Sequence, residues 1–155
     1  MAGKLFMYNG EQQQFVERGY GILKINESHD PSDWDRLQAR LSKFYQQQEK
    51  KTKMIFSFLV MRLDKAFRVI LNSPIFPKMT VERATDRSVR FGAQDESQLR
   101  VFIIKVRSTL FTNFKSLSFH QASAADCTNF CKELQSRIQI IERQQRASNT
   151  PVCNH

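Results

Sequence analysis

The stretch Phe15-Val16-Glu17-Arg18-Gly19-Tyr20-Gly21, FVERGYG, decides how this sequence folds. Leu23 and Ile25 continue a period-two apolar pattern beyond it, so it lies inside a long β-strand. Glycine within a strand forfeits packing and costs chain entropy, and therefore marks a bulge, a corner or a close approach by another backbone. A Glu-Arg pair beside two glycines predicts a strand that bends, as a strand serving two sheets of a small barrel must.

On the N-terminal side, Lys4 to Tyr8 alternates Leu5 and Met7 with Phe6 and Tyr8, and Asn9-Gly10 is the dipeptide suited to a tight hairpin with positive φ angles. The return arm runs from about Gln13 to Asn26. Glu27 to Asp33 is loop-like, and Ser32 or Asp33 can cap a helix through Trp34, Leu37, Leu41 and Phe44 or Tyr45. Met54 to Arg62 then reads as a strand. Leu63 to Ala66 is a short turn into another strand, with Phe67, Val69 and Leu71 on one face and Arg68, Ile70 and Asn72 on the other.

Pro74 and Pro77 lack a ladder donor and bar continued pairing. Short strands follow near Met79 to Arg83 and Ser88 to Ala93. LRVFIIKVR, Leu99 to Arg107, is apolar or β-branched on both faces and belongs in the middle of a sheet. Ser123-Ala124-Ala125-Asp126 has capping-box spacing, and Cys127, Cys131, Leu134, Ile138 and Ile141 recur every three or four residues. They predict an amphipathic helix from about Ala124 to Arg146 that packs on the strands, followed by a polar tail, 147–155, that does not.

These elements describe a mainly β fold with a C-terminal helix: a two-sheet sandwich or partly open barrel closed at one end, the pleckstrin-homology-like plan. At 155 residues the chain holds one domain, 1–146, plus the tail. The run Ile55 to Met61 is far short of the roughly 20 apolar residues of a membrane span. The N-terminal segment lacks the order of a secretory signal, so nuclear or cytosolic residence is expected. Three cysteines fit reduced thiols, with Cys127 and Cys131 as small core hydrophobes; a zinc site would need more ligands than nearby His120 adds.

The net charge of +9 is concentrated: between Arg36 and Arg68 nine basic residues stand against two acidic ones. Such a field attracts an acidic protein segment, nucleic acid or an anionic membrane. Catalysis is not indicated. The sequence shows no phosphate loop, nucleophile elbow or histidine pair at metal spacing, and Gly19-Tyr20-Gly21 is too short for a dinucleotide fingerprint. A binding module without cofactor is expected.

At this point two blocks resemble a known family. GKLFMYNGEQQQFVERGYGILKIN, residues 3–26, is similar to the opening of Ran-binding domains, in which a lysine-leucine-aromatic strand leads to an aromatic, a variable residue, Glu-Arg-Gly, one residue and Gly. Val60-Met61 followed by RLDKAFRVILN resembles the family's methionine-arginine turn and the strand ending in asparagine. Val16, Leu63 and the segment VILNSPIFPKMTVERATDRSVRF place the likeness nearest the branch of the third Ran-binding protein, a nuclear cofactor of the leucine-rich-signal exportin.

The resemblance implies a non-catalytic adaptor for the GTP-bound form of Ran in exportin-dependent nuclear export, with exportin and its cargo, and the Ran exchange factor, as further partners. It implies residence in the nucleus with shuttling to the cytoplasm. The matching positions are Phe15, Glu17, Arg18 and Gly19, with Arg62, Arg68 and Asn72 in the second block. Family members that bind Ran strongly carry lysine at the place of Val16 and a second arginine at Leu63. Their loss implies weak affinity for Ran alone, by about 1–3 kcal/mol per charge-assisted bond.

Ser42 to Leu59 and about Ser108 to Phe119 have no counterpart in that pattern and read either as loop insertions or as retained introns. The rival class is a phosphoinositide-binding membrane module using Lys50-Lys51-Thr52-Lys53. A nucleic-acid reading, with Phe44 and Tyr45 as stacking platforms, lacks a recognition motif. Neither membrane nor nucleic acid is the expected partner.

Overall fold

The computed structural model describes residues 1–28, 56–106 and 117–148, with side chains from 1–27, 57–106 and 124–147. The helix expected at Trp34 to Tyr45, the lysines at 50, 51 and 53, and the tail from 149 onward lie outside the described residues. The elements are β1 (Ala2–Asn9), β2 (Gln14–Ser28), β3 (Phe56–Leu63), β4 (Val69–Pro74), β5 (Val81–Thr85), β6 (Ser88–Asp95), β7 (Gln98–Val106) and α1 (Leu117–Ser148). All strand pairs are antiparallel, in the order β4-β3-β2-β1-β7-β6-β5.

The strands form one hydrogen-bonded sheet that curls until β4 meets β6, where the Gln94 amide donates to Ser73 Oγ at 2.9 Å. A partly open barrel is therefore the apt description. Alternation places Leu5, Leu23, Leu59, Met61, Phe91, Phe102 and Ile104 inside, each essentially inaccessible to solvent. The Phe91 and Phe102 rings stack at 5.8 Å, and Phe130 of α1 meets Phe91 edge-on at 6.5 Å. The helix stripe of Cys127, Phe130, Cys131, Leu134, Ile138 and Ile141 is buried, as its spacing predicts.

Several local expectations are corrected. Residues 10–13 separate β1 and β2, so Asn9-Gly10 does not make a two-residue turn. Asn9 Oδ1 instead accepts from the amides of Glu11 (2.9 Å) and Gln12 (3.3 Å), and Gln13 takes the positive φ of 52°. In β4 a bulge breaks the expected alternation. Leu71 pairs with Met61 and Val69 with Arg62, so Ile70 is the extra residue; both Ile70 and Leu71 are buried while Val69 turns outward. As expected, the β4 ladder stops at Pro74, its last paired residue, on a sheet edge where the missing donor is tolerated.

The expected strand at Met79 begins instead at Val81, and that at Ser88 extends to Asp95. β7 is interior as expected, but the middle position belongs to β1, flanked by β2 and β7. The last helix begins at Leu117, seven residues before Ala124. Ser123 is thus inside it and is no N-cap, because the following alanines favour continuing the helix.

Candidate functional site

FVERGYG bends where the sequence demands. Leu5 pairs with Gly19 and Phe6 with Glu17, which leaves Arg18 as the extra residue of a β-bulge. Gly19 has φ 143°, and a Cβ there would stand 2.3 Å from Leu63 Cδ2. At Gly21 a Cβ would lie 1.9 Å from the carbonyl oxygen of Arg62, so both glycines admit the β3 chain.

The bulge turns Arg18 out of the ladder. Its Nη2 reaches Asp95 Oδ1 at 3.3 Å, on a strand three places away in the sheet order, and the pair is half-buried. Glu17 accepts from Lys4 Nζ at 3.0 Å in the open. Both charges of the motif therefore have intramolecular partners.

Between β2 and β4 a cleft of 590 Å³ is lined by Val16, Glu17, Arg18, Arg68, Val69 and Ile70. It brings together three of the expected site residues, Glu17, Arg18 and Arg68, with Gly19 behind them against Leu63. The Arg68 side chain is exposed and has no polar partner among the described residues. Its carbonyl accepts from the Leu63 amide at 2.8 Å, which anchors the turn.

Arg62 and Asn72 occupy neighbouring rows of the outer face. Ile22, Arg62 and Val69 align across three strands, and Lys24, Val60 and Asn72 form the next row. Arg62 Nη1 donates to the Phe67 carbonyl at 3.3 Å. Phe15 stands apart near the first hairpin, its ring edge-on to Tyr8 at 5.3 Å.

Two apolar side chains missed by sequence reasoning join this face. Phe67 is 75% exposed at a φ of 53°, and Val69 is 41% exposed. Their signal was present in the apolar run, but the β4 bulge reversed which residues face out. The partner of Arg18 had no signal at all, since Asp95 lies 77 residues further on. The arrangement offers arginine forks and exposed apolar surface, chemistry that suits an acidic protein segment.

Nothing in the same region resembles a metal centre: among the described residues no cluster of three or more His, Cys, Asp or Glu could hold an ion. Burial pushes the Cys127 and Cys131 thiols above their ordinary value, consistent with packing groups. No described helix is long and apolar enough to cross a membrane.

Sequence comparison finds human Ran-binding protein 3 at 31% identity over 110 residues, which is 70% of this chain and 16% of that protein. The chain is a relative of Ran-binding protein 3. Human Ran-binding protein 3-like is 26% identical over 153 residues, 97% of this chain and 29% of that protein. The chain thus spans less than a third of the length of these Ran-binding protein 3 relatives. No family model matches.

Among solved structures, the Ran-binding domain of the nuclear complex component Nup2 from Ashbya gossypii superposes with a TM-score of 0.57 at 15% identity, covering 90% of this chain and 91% of that one. At that identity the likeness establishes the fold, which is the pleckstrin-homology-like fold expected from the strand and helix pattern. The likeness to Ran-binding protein 3 likewise agrees with the two sequence blocks.

Proposed function

We propose that this chain is a non-catalytic adaptor that binds Ran in its GTP-loaded form and assists exportin-dependent nuclear export. The observation that carries the reading is the meeting of Arg18 and Arg68 in one cleft of a chain similar to Ran-binding protein 3. Phe15, Glu17, Arg18, Gly19, Arg62, Arg68 and Asn72 form the proposed Ran-binding set. Arg18 and Arg68 receive carboxylates, Arg62 holds the Phe67 turn, and Gly19 keeps the bulge.

The partner's acidic segment must compete with Asp95 for Arg18, which supports weak binding to Ran alone. Exportin with its cargo supplies a second surface, and linked contacts gain through effective concentration. The Ran exchange factor is a further proposed partner, and the nucleus with shuttling to the cytoplasm is the proposed site of action. The test is capture of purified Ran, loaded with GTP or GDP, with and without exportin. Preferential capture of the GTP form, enhanced by exportin, is expected; equal capture of both forms rejects the reading.

A further inference from the structure

β5 is the sheet edge opposite β4. The Gly92 amide donates to the Thr80 carbonyl at 3.0 Å, and Val81, Glu82 and Arg83 pair with Phe91, Arg90 and Val89. In an antiparallel ladder hydrogen-bonded and open pairs alternate. Glu82 therefore bonds to β6, while the N–H and C=O groups of Val81 and Arg83 point away from the sheet. No described residue takes them up.

Alongside runs a groove of 810 Å³, with Met79 and Val81 on the strand side and Ile138 and Glu142 on α1, and with Glu82 and Arg90 at the outer lip. Ile138 is the apolar side chain on its helix wall, among Gln135, Gln139 and Glu142. The charged side chains lining it are two carboxylates and one arginine, one net negative charge in a chain of net charge +9. Arg90 is already paired with Glu82, and among the described residues Glu142 accepts the Lys78 amide alone, at 3.0 Å.

We infer that the free edge of β5, with the groove between it and α1, receives an extended polypeptide strand from a partner that carries a cationic residue between two apolar ones. Unpaired amides two residues apart select a strand over a helix, since only an extended chain presents matching groups at that repeat. The residue opposite Val81 turns inward toward Ile138 and is apolar; the one opposite Arg83 turns inward over the stem of Arg83, whose guanidinium is held by Thr128 Oγ1 at 3.1 Å and Asp86 Oδ1 at 2.8 Å, and is apolar as well. The residue between them turns outward opposite Glu82 and is a lysine or arginine. A second copy of this chain paired about Glu82, the register that uses the free groups of both Val81 and Arg83, fits badly, because it sets Glu82 against its own counterpart.

The probe is a capped synthetic peptide, Thr-Val-Lys-Val-Thr, titrated into the isotope-labelled chain and followed by amide NMR and hydrogen exchange. Expected are shifts at Val81, Arg83 and Ile138, with new exchange protection at Val81 and Arg83. N-methylation of both valines should abolish binding. Replacing the peptide lysine by glutamate should weaken it severalfold, and the exposed change Glu82→Lys should reverse that preference. Shifts centred on the Arg18–Arg68 cleft, equal binding of the methylated peptide, no shift at millimolar peptide, or dimerisation through β5 would each overturn the inference. Ran capture reads a separate face, so the two proposals fail independently.

Discussion

Arg18 and Asp95 meet at 3.3 Å across the curled sheet, though 77 residues of chain separate them. A half-exposed pair of this kind contributes at most about 1 kcal/mol to stability. Arg18→Ala should therefore unfold in urea close to the parent chain. Capture of GTP-loaded Ran should fall by about 5- to 150-fold, the loss of one charge-assisted bond of 1–3 kcal/mol. Arg68→Ala should behave alike, and Arg62→Ala should weaken capture by loosening the Phe67 turn. Unchanged capture by Arg18→Ala and Arg62→Ala would reject their roles.

Gly21→Ala forces a Cβ onto the Arg62 carbonyl, a backbone contact that no side-chain rotation relieves. A loss of about 2–3 kcal/mol is expected in urea unfolding, by analogy with overpacked cores. Gly10→Ala is the control, because the space beside Gly10 is open. Equal stability of the two variants would show that β3 does not press on β2.

The helix holds the fold by burial. Leu134 is fully enclosed, and truncating it to alanine should cost about 2–5 kcal/mol. Exposed Lys132→Ala, two positions away, should change stability by less than about 0.5 kcal/mol. Thermal unfolding of both variants checks whether α1 is integral.

The raised thiol values of Cys127 and Cys131 carry a signed pH dependence. A thiol ionises at about 9.0 when unfolded and higher when folded, so the folded state retains more protons in that window. The stability that burial gives the neutral thiols is intact below pH 9 and declines as pH rises above it. Urea unfolding at pH 8 and pH 10 should show the decline, and Cys127→Ala with Cys131→Ala should reduce it. Alkylation of both thiols at neutral pH should be slow until the chain unfolds.

Joining Leu41 to Val60, as the family resemblance invites, puts Leu41 at the fully buried place of Leu59, Ala39 at Ser57 and Arg40 at Phe58. The inward leucine is preserved. A chain lacking 42–59 is expected to fold cooperatively with reduced stability from the loss of Phe58. A non-cooperative thermal transition would make the segment indispensable, and sequencing of spliced transcripts reports whether it is translated.

Period-two patterning made the strands legible, and two glycines in FVERGYG announced the bend, because those signals are local. The helix stripe from Cys127 to Ile141 was equally plain. The β4 bulge was not, since the extra residue, Ile70, is set by pairing with β3 rather than by its neighbours in sequence. The same limit hid the Arg18–Asp95 pair and the free amides of β5. The helix start at Leu117 was missed because Ser123 mimics a cap without tertiary context.

β1 occupies the middle of the sheet, yet one of its neighbours, β7, is the last strand made; Gly3 waits for Val106. A ribosome must therefore add the chain from Gly3 as far as Val106 before β1 gains its second flank. Such long-range closure slows assembly and leaves a sticky strand uncovered in the interim, which makes nascent chains of this domain natural clients for chaperones.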